Sequence, residues 1–364
     1  MSSAHRVIAV RTATEQYDIH VGRGVLDRLG VRLAALLPGR KVFLISHPTL
    51  LESYGPALAG HLREAGFTVE TCLVPAGERS KTLDMAAGLY TQLAQCGADR
   101  QSIVCALGGG VIGDLSGFVA ATYMRGIPLV QIPTSLLAMV DSSIGGKTGV
   151  NHALGKNLIG AFYPPQAVFT DITLLRSLPE REYLCGLSEI VKAGVIEDAE
   201  LFTFMESHVG EMHQRQEEVL TTLIERAIAV KVRVVQEDPT ERGLRAILNF
   251  GHTIGHALEA VTAYEQYSHG EAVAIGMALV ARLSARLGQC PDQVSARLHA
   301  LLQALHLPVD YTDIAPQPLL EVMAHDKKAL DGVVRFVLLQ EIGKVAYHQE
   351  VPLEALQTLL AQRV

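Results

Sequence analysis

Residues Ser102–Asp114 read SIVCALGGGVIGD. A continuous apolar run ends in a glycine cluster, and a second apolar run follows. The first run has the composition of a strand buried on both faces, and the second opens with the periodicity of a helix. Within ALGGGVIGD (Ala106–Asp114), Gly108, Gly110 and Gly113 satisfy the GxGxxG pattern. Glycines there let backbone N–H groups approach a pyrophosphate closely, and the helix N-terminus adds partial positive charge. The strand–turn–helix context supports a nucleotide site. The alternative is a glycine-rich turn needed only for close helix–strand packing.

Working outward, strand-like runs occur at Arg6–Thr12, Tyr17–Gly22, Lys41–His47, Thr68–Pro75, Ser102–Gly109 and Pro128–Thr134. Helical periodicity fills Leu50–Ala65 and Thr82–Cys96. Strands separated by such helices predict right-handed βαβ units and a parallel sheet, with ligands at the carboxyl ends of its strands. The glycine loop follows a late strand rather than the first, and no acid stands about 20 residues on, near Ile132–Ser135, to hold a ribose as in an ordinary Rossmann unit. Just after an earlier strand, AGERSKT (Ala76–Thr82) offers Glu78 and Lys81 as further dinucleotide contacts. A capped helix start is the equal alternative for that segment.

After Pro179 the pattern changes. EREYLCGLSEIVKAGVIED, EEVLTTLIERAIAVKVRVVQED, GHTIGHALEAV and GEAVAIGMALVARLSARLG all read at helical period, with Gly251 and Gly270 near helix starts. A late pair, VVRFVLLQ and GKVAYHQ, reads as a hairpin. The expected fold is therefore an α/β, Rossmann-like parallel-sheet domain over 1–178 and a mainly α-helical domain over 179–364. A length of 364 residues suits two domains.

Composition narrows the function classes. With 31 Lys+Arg against 38 Asp+Glu the net charge is −7, which argues against a general nucleic-acid binder. Aromatics make up 5% with no Trp, too few for base-stacking platforms. Cys72, Cys96, Cys105, Cys185 and Cys290 are odd in number and contain no CxxC pair. That pattern suits thiols in a reducing cytoplasm rather than a disulfide framework. The start, MSSAHRVIAVRT, shows no secretory signal pattern, and the apolar stretch Ser102–Met124 is broken by glycines and Asp114, so no membrane span is expected.

Two groups of residues suggest chemistry. GHTIGH places His252 and His256 at i, i+4, SHGEA places His269 at a helix start, and Glu189 sits within the apolar GLSEIVKAG. Two histidines and one carboxylate with an open position is a catalytic zinc pattern. Spacing alone does not join the distant Glu189, and each histidine also reads as an ordinary core or helix-start residue. Second, Arg125, Lys147, Lys156, Lys192, Lys231, Arg245 and Lys328 fall in otherwise small or apolar segments. Cations in such settings are paired or face a ligand, which suits a small anionic substrate; a solvated face or structural ion pair is the alternative for any one.

GGGVIGD, TYMRGI, IPTSLLAMVDSSIGGKTGVN, GKNLIGAFYPP, GLSEIVKAGVI, LNFGHTIGHALE, SHGEAVAIGM and DKK occur in this order. In these motifs the chain resembles the 3-dehydroquinate synthase family, from about residue 6 to residue 348. The resemblance implies NAD and a divalent metal, zinc with cobalt as a possible substitute, held by Glu189, His252 and His269. It implies dinucleotide contacts from Glu78, Lys81, the Gly109–Asp114 loop (Gly109, Gly110, Val111, Ile112, Gly113 and Asp114), Thr134, Ser135, Lys147 and Lys156. Leu174 would be a further cofactor contact, and Ser177 would lie near the nicotinamide side. The substrate, 3-deoxy-D-arabino-heptulosonate 7-phosphate, would meet Asp141, Lys147, Asn157, Lys192, Lys231, Arg245, Asn249, His256 and Lys328. Arg125 would reach a phosphate in the neighbouring subunit of a homodimer. The implied reaction is an internal redox cycle: oxidation at C5, loss of phosphate, re-reduction, ring opening and aldol closure. The chain departs from the family at Ser46-His47-Pro48-Thr49, where many relatives carry an acid or Asn after the strand.

The rival readings are another sugar-phosphate cyclase and a metal-dependent polyol dehydrogenase of similar architecture. Arg245 and Asn249 before GHTIGH, with Lys231 upstream, favour a substrate bearing a carboxylate. A dehydrogenase would not need so many cations.

Overall fold

The structure is a computed structural model and describes residues 5–12, 15–239, 243–325 and 334–362. These divide into two compact units, the chain passing from one to the other between Leu178 and Pro179.

The first unit contains strands β1 (Arg6–Arg11), β2 (Gln16–Gly22), β3 (Lys41–Ser46), β4 (Thr68–Leu73), β5 (Ile103–Gly108), β6 (Leu129–Pro133), β7 (Lys147–His152), β8 (Gly155–Phe162) and β9 (Ala167–Asp171). Its helices are α1 (Leu29–Leu36), α2 (Pro48–Glu64), α3 (Leu83–Gln95) and α4 (Gly110–Thr122). Seven strands form one sheet in the order β1-β2-β9-β6-β5-β3-β4. From β2 to β4 every neighbouring pair is parallel. β5, β6 and β9 are buried along their whole length, as expected of sheet strands covered on both faces.

Three features depart from the sequence reading. β1 pairs antiparallel with β2, because the few residues between Arg11 and Gln16 leave no room for a crossover helix. β7 and β8 form a separate antiparallel hairpin, and β9 is an additional central strand. At AGERSKT the helix-start reading is realised: Thr82 Oγ1 accepts from the Met85 N–H at 3.1 Å and caps α3.

Chain order places the switch point of the sheet. β3 leads outward to β4, and the chain then returns to the opposite side of β3 as β5. Ligands of open α/β sheets bind where the order reverses. The carboxyl ends at that point carry Ser46-His47 and Gly108–Gly110, and Ser46 Oγ ties the two strands by donating to Leu107 O at 2.5 Å. Behind them α3 and α4 pack through Leu89, Leu93, Leu115 and Val119 into the core formed with Phe43, Ile45 and Val104.

The second unit holds α5 (Glu180–Ile196), α6 (Ala199–Ser207), α7 (Val209–His213), α8 (Glu217–Glu237), α9 (His252–Val261), α10 (His269–Arg286), α11 (Asp292–Ala304), α12 (Pro316–His325) and α13 (Leu353–Ala361). The expected late hairpin is β10 (Arg335–Glu341) paired with β11 (Lys344–Glu350). α10 is the central element, packing on α5, α9, α11 and β10. A 3-10 turn at Leu244–Asn249 packs against α5 and α8.

Leu115 lies fully buried in the helix that begins at the glycine loop. Leu115→Ala removes buried apolar volume and is expected to cost about 2–5 kcal/mol, read as a lower urea midpoint. A midpoint equal to that of the wild-type chain would show that α4 does not depend on this contact.

Candidate active site

In the first unit the glycine loop opens α4 with no side-chain cap, so its leading N–H groups are presented for an anion. Packing explains two of the glycines. A Cβ on Gly108 would lie 2.5 Å from Ile112 Cβ, and one on Gly109 would lie 3.2 Å from Ser135 Oγ. The turn can therefore sit directly beside the Thr134–Ser135 segment, both of whose residues are buried.

Beside the loop lies a polar network. Lys81 is buried, and its Nζ donates to Asp114 Oδ2 and to Asn157 Oδ1, each at 2.5 Å. Asn151 Nδ2 donates to Glu78 Oε1 at 2.7 Å, and Asn151 Oδ1 accepts from the Asn157 N–H at 3.0 Å. The Asn151 N–H also donates to Lys81 O at 2.8 Å, fastening the β7–β8 hairpin to the Glu78–Lys81 turn. Asn157 holds φ of 54°, a left-handed value in which Asn is favoured over most residues.

The structure thus brings Glu78, Lys81, Asp114 and Asn157 together. Sequence reasoning missed Asn151, which links them. Asp141 lies in a π-helical turn, Ala138–Ser142, a geometry frequent at functional sites. Lys147 begins β7 and is exposed, and Lys156 is half-buried in β8. Leu174 is buried, while Ser177 Oγ bonds Tyr54 Oη of α2 at 2.7 Å. Arg125 is exposed beyond the far end of α4, roughly 20 Å from the glycine loop at 1.5 Å per residue. Within the unit it is therefore apart from this group.

The second unit builds a different centre. α5 is buried all round from Cys185 to Ile196. Glu189 and Lys192 stand at i, i+3 and form an ion pair, with side chains only 2% and 4% exposed. His252 begins α9 directly after Gly251, whose φ of 79° turns the chain into the helix. His269 begins α10 inside a capping box: the Ser268 N–H donates to Glu271 Oε2 at 2.7 Å, and Ser268 Oγ accepts from the Glu271 N–H. Arg181 of α5 grips the same Glu271 carboxylate through two bonds of 2.9 and 2.6 Å.

Close helix crossings bring these starts together. A Cβ on Gly270 would lie 2.4 Å from Cys185 Cα and O, and the Gly270 N–H lies 3.1 Å from Cys185 Sγ. A Cβ on Gly276 would lie 2.0 Å from Gly251 O. α10 therefore touches α5 and α9 backbone to backbone next to His269, Glu189 and His252.

The result is one convergent point. Glu189 Oε1 lies 3.5 Å from His252 Nε2 and 3.6 Å from His269 Nε2. One donor atom from each of the three residues falls within 4.8 Å of the others. Glu189 Oε1 is buried and receives no hydrogen bond, an orphan that a divalent cation would satisfy. Both remote ring nitrogens face acceptors: His252 Nδ1 lies 3.2 Å from Phe250 O, and His269 Nδ1 lies 3.3 Å from Glu259 Oε2. Metal-ligating histidines are oriented by such partners.

Electrostatics agrees with this geometry. Burial would raise the Glu189 carboxyl, but Lys192 and His269 outweigh it and bring the pKa down to about 2. Burial, then Lys192, His256 and His269, hold His252 well below its ordinary value, so it is neutral. Burial would lower His269, but Glu189 and Glu259 bring it up to about 10.

His256 is exposed one turn along α9, its ring 5.2 Å from that of His252 and edge-on to it. Lys231 is half-buried on α8. Arg245 is 1% exposed in the Leu244–Asn249 turn, with Nη1 donating to Pro239 O at 2.6 Å, and Asn249 ends the same turn. Asp238, absent from the sequence reading, accepts from the Gly243 and Arg245 N–H groups and shapes that turn. Lys328 lies outside the described residues.

Residues 71–185 match the family model for the 3-dehydroquinate synthase N-terminal region, and residues 186–329 match the model for its C-terminal region. A 3-dehydroquinate synthase from Desulforamulus reducens is 44% identical over 98% of this chain and 99% of the relative. The chain belongs to the 3-dehydroquinate synthase family. Among solved structures, a 2-epi-5-epi-valiolone synthase from Streptomyces hygroscopicus subsp. jinggangensis 5008, with NAD+ and Zn2+ bound, superposes with a TM-score of 0.87. It is 31% identical over 98% of each chain. A 2-deoxy-scyllo-inosose synthase, complexed with carbaglucose-6-phosphate, NAD+ and Co2+, has a TM-score of 0.89 and is 27% identical, covering 98% of this chain and 99% of that one. The expected two-part architecture, a Rossmann-like parallel sheet followed by a helical half, is thus that of a 3-dehydroquinate synthase family member with sugar-phosphate cyclases as structural neighbours.

Gly270 predicts a sharp contrast. Gly270→Ala forces a methyl against Cys185 backbone and is expected to cost about 1–3 kcal/mol and lower the melting temperature. Gly60→Ala, inside α2 with nothing within 4 Å of its added Cβ, is expected to raise stability by about 0.5–1 kcal/mol. Equal melting temperatures for the two variants would remove the close crossing as a constraint.

Proposed function

We propose that this chain is a 3-dehydroquinate synthase that converts 3-deoxy-D-arabino-heptulosonate 7-phosphate to 3-dehydroquinate and phosphate. Family membership gives the reaction. The observation that carries it to this site is the convergence of Glu189, His252 and His269 on an orphaned buried carboxylate oxygen.

These three residues would hold the divalent metal, zinc or cobalt, and the Gly109–Asp114 loop with Glu78, Lys81, Thr134, Ser135, Lys156, Leu174 and Ser177 would hold NAD. When bound, NAD supplies a reversible hydride acceptor and the metal supplies polarisation of substrate hydroxyl oxygens. The chain's own side chains then bind and orient. Arg245, with Lys231 and Asn249, would take the substrate carboxylate, for which a guanidinium is geometrically suited. Lys147, Asn157, His256 and Lys328 would hold the phosphate and stabilise its charge as it leaves with the bonding electron pair. Asp141 and Lys192 would fix hydroxyl groups. Lys192 also keeps Glu189 ionised through their ion pair.

The homodimer and the cytoplasm belong to the same reading. Arg125 is exposed beyond the far end of α4, and in this reading it would serve a second copy. The cysteines are all free thiols, four buried and Cys96 exposed, which suits a reducing compartment. Among the described residues no helix is long and apolar enough to cross a membrane.

Purified chain with zinc, catalytic NAD and this substrate is expected to release phosphate and 3-dehydroquinate in equal amounts with no net NADH. Turnover only on a heptulose or hexose phosphate lacking the carboxylate would replace the substrate assignment, and net NADH accumulation would replace the reaction class.

Metal binding should also release protons. Without metal, His269 is protonated below about pH 10, whereas His252 is neutral and Glu189 ionised at neutral pH. A metal needs the His269 lone pair, so between pH 6.5 and 8 binding expels about one proton and affinity rises about tenfold per pH unit. Calorimetry in buffers of different ionisation enthalpy reads this directly; a proton count of zero would contradict the assigned charge states.

A further inference from the structure

Glu259 lies on α9, one turn beyond His256, and its side chain is 6% exposed. A carboxylate that deep is costly unless it is bonded or paired. Its Oε2 lies 3.3 Å from His269 Nδ1. An ionised carboxylate only accepts, so His269 Nδ1 carries a proton toward Glu259, and Nε2, which faces Glu189 Oε1, is the nitrogen left to bind a metal once its own proton is displaced. We propose that Glu259 is a positioning residue, fixing the tautomer and ring orientation of His269 so that Nε2 is presented as a metal ligand. This rests on the metal reading above and extends it to a residue outside the ligand set.

The two histidines are supported unequally. His252 Nδ1 faces a neutral backbone carbonyl, Phe250 O, whereas His269 Nδ1 faces a carboxylate. The Glu259 contact also bridges the two helices carrying the histidines, because Glu259 shares α9 with His252 while His269 begins α10. A competing use of the same atoms exists: donor atoms of His256, Glu259 and His269 also lie within 4.8 Å of one another. A cation there would require His269 Nδ1 to lose its proton, so the two uses differ in where the proton sits and in metal stoichiometry.

The test is zinc affinity by chelator competition, with the visible spectrum of the cobalt-loaded chain as the second readout. Glu259→Gln is expected to weaken zinc binding about 10–100-fold and to change the cobalt spectrum, while the metal-free chain keeps the circular dichroism spectrum of the wild-type fold. In a His269→Ala background Glu259→Gln is expected to have no further effect. An unchanged affinity and spectrum, or the same loss with and without His269, overturns the proposal. Should Glu259→Gln fold poorly, nitrogen NMR of the zinc-loaded wild-type chain decides: a proton on His269 Nδ1 is expected, and metal on Nδ1 or a second bound zinc overturns it. Glu189→Ala separates the two readings. Zinc binding that survives it overturns the metal reading and the Glu259 proposal together, whereas the outcomes above overturn the proposal alone.

Discussion

The contact between Gly270 and Cys185 governs the second unit. At this crossing two helix backbones approach so closely that no side chain fits between them. Gly270 adjoins His269, and Cys185 lies one turn before Glu189 on α5. Any widening of the crossing would move a ring nitrogen away from a carboxylate oxygen, and both distances to Glu189 Oε1 are only 3.5–3.6 Å. The Gly251–Gly276 contact imposes the same limit on His252. Metal-site geometry tolerates little drift, so these glycines would set the precision of the centre as much as the three proposed ligands.

Charge is arranged with similar economy. Glu189 and Lys192 are both buried and would each be destabilising alone. Paired on one helix face, they leave Glu189 anionic and His252 neutral, the states a cation requires. The excess proton of the metal-free centre is left on His269, between two carboxylates. The centre without metal is therefore held by ion pairs whose proton a cation replaces.

Much of this was legible in the sequence, and the exceptions have physical causes. β3, β5 and β6 were readable because burial on both faces demands unbroken apolar runs. The β7–β8 hairpin was missed because GGKTGVNHALGKNLIGAFYPP is glycine-rich and polar, and β8 lies largely open to solvent, so no buried face imposes a regular alternation. β9, five residues between a proline segment and a 3-10 turn, is too short to show a period. The antiparallel β1 was knowable from the short connection to β2. In the site, His252, His269 and Glu189 stood out as polar residues in apolar helical segments. Glu259 carries the same mark in HALEAV, but helical period alone gives it no partner. Asn151 offered no such mark, because its importance comes from the fold that sets it between Glu78 and Asn157.

The two acceptors already held by Lys81 bear on how the first unit takes up a dinucleotide. Its ammonium is engaged by Asp114 and Asn157 before any phosphate arrives. Were Lys81 to take a phosphate, as proposed, uptake would be an exchange of partners, and the free energy gained would be the difference between two sets of charge-assisted bonds. The Asn157 amide released in that exchange belongs to the β7–β8 hairpin. Occupancy of the glycine loop and the conformational freedom of a neighbouring strand pair would thus become linked variables, each altering the population of the other.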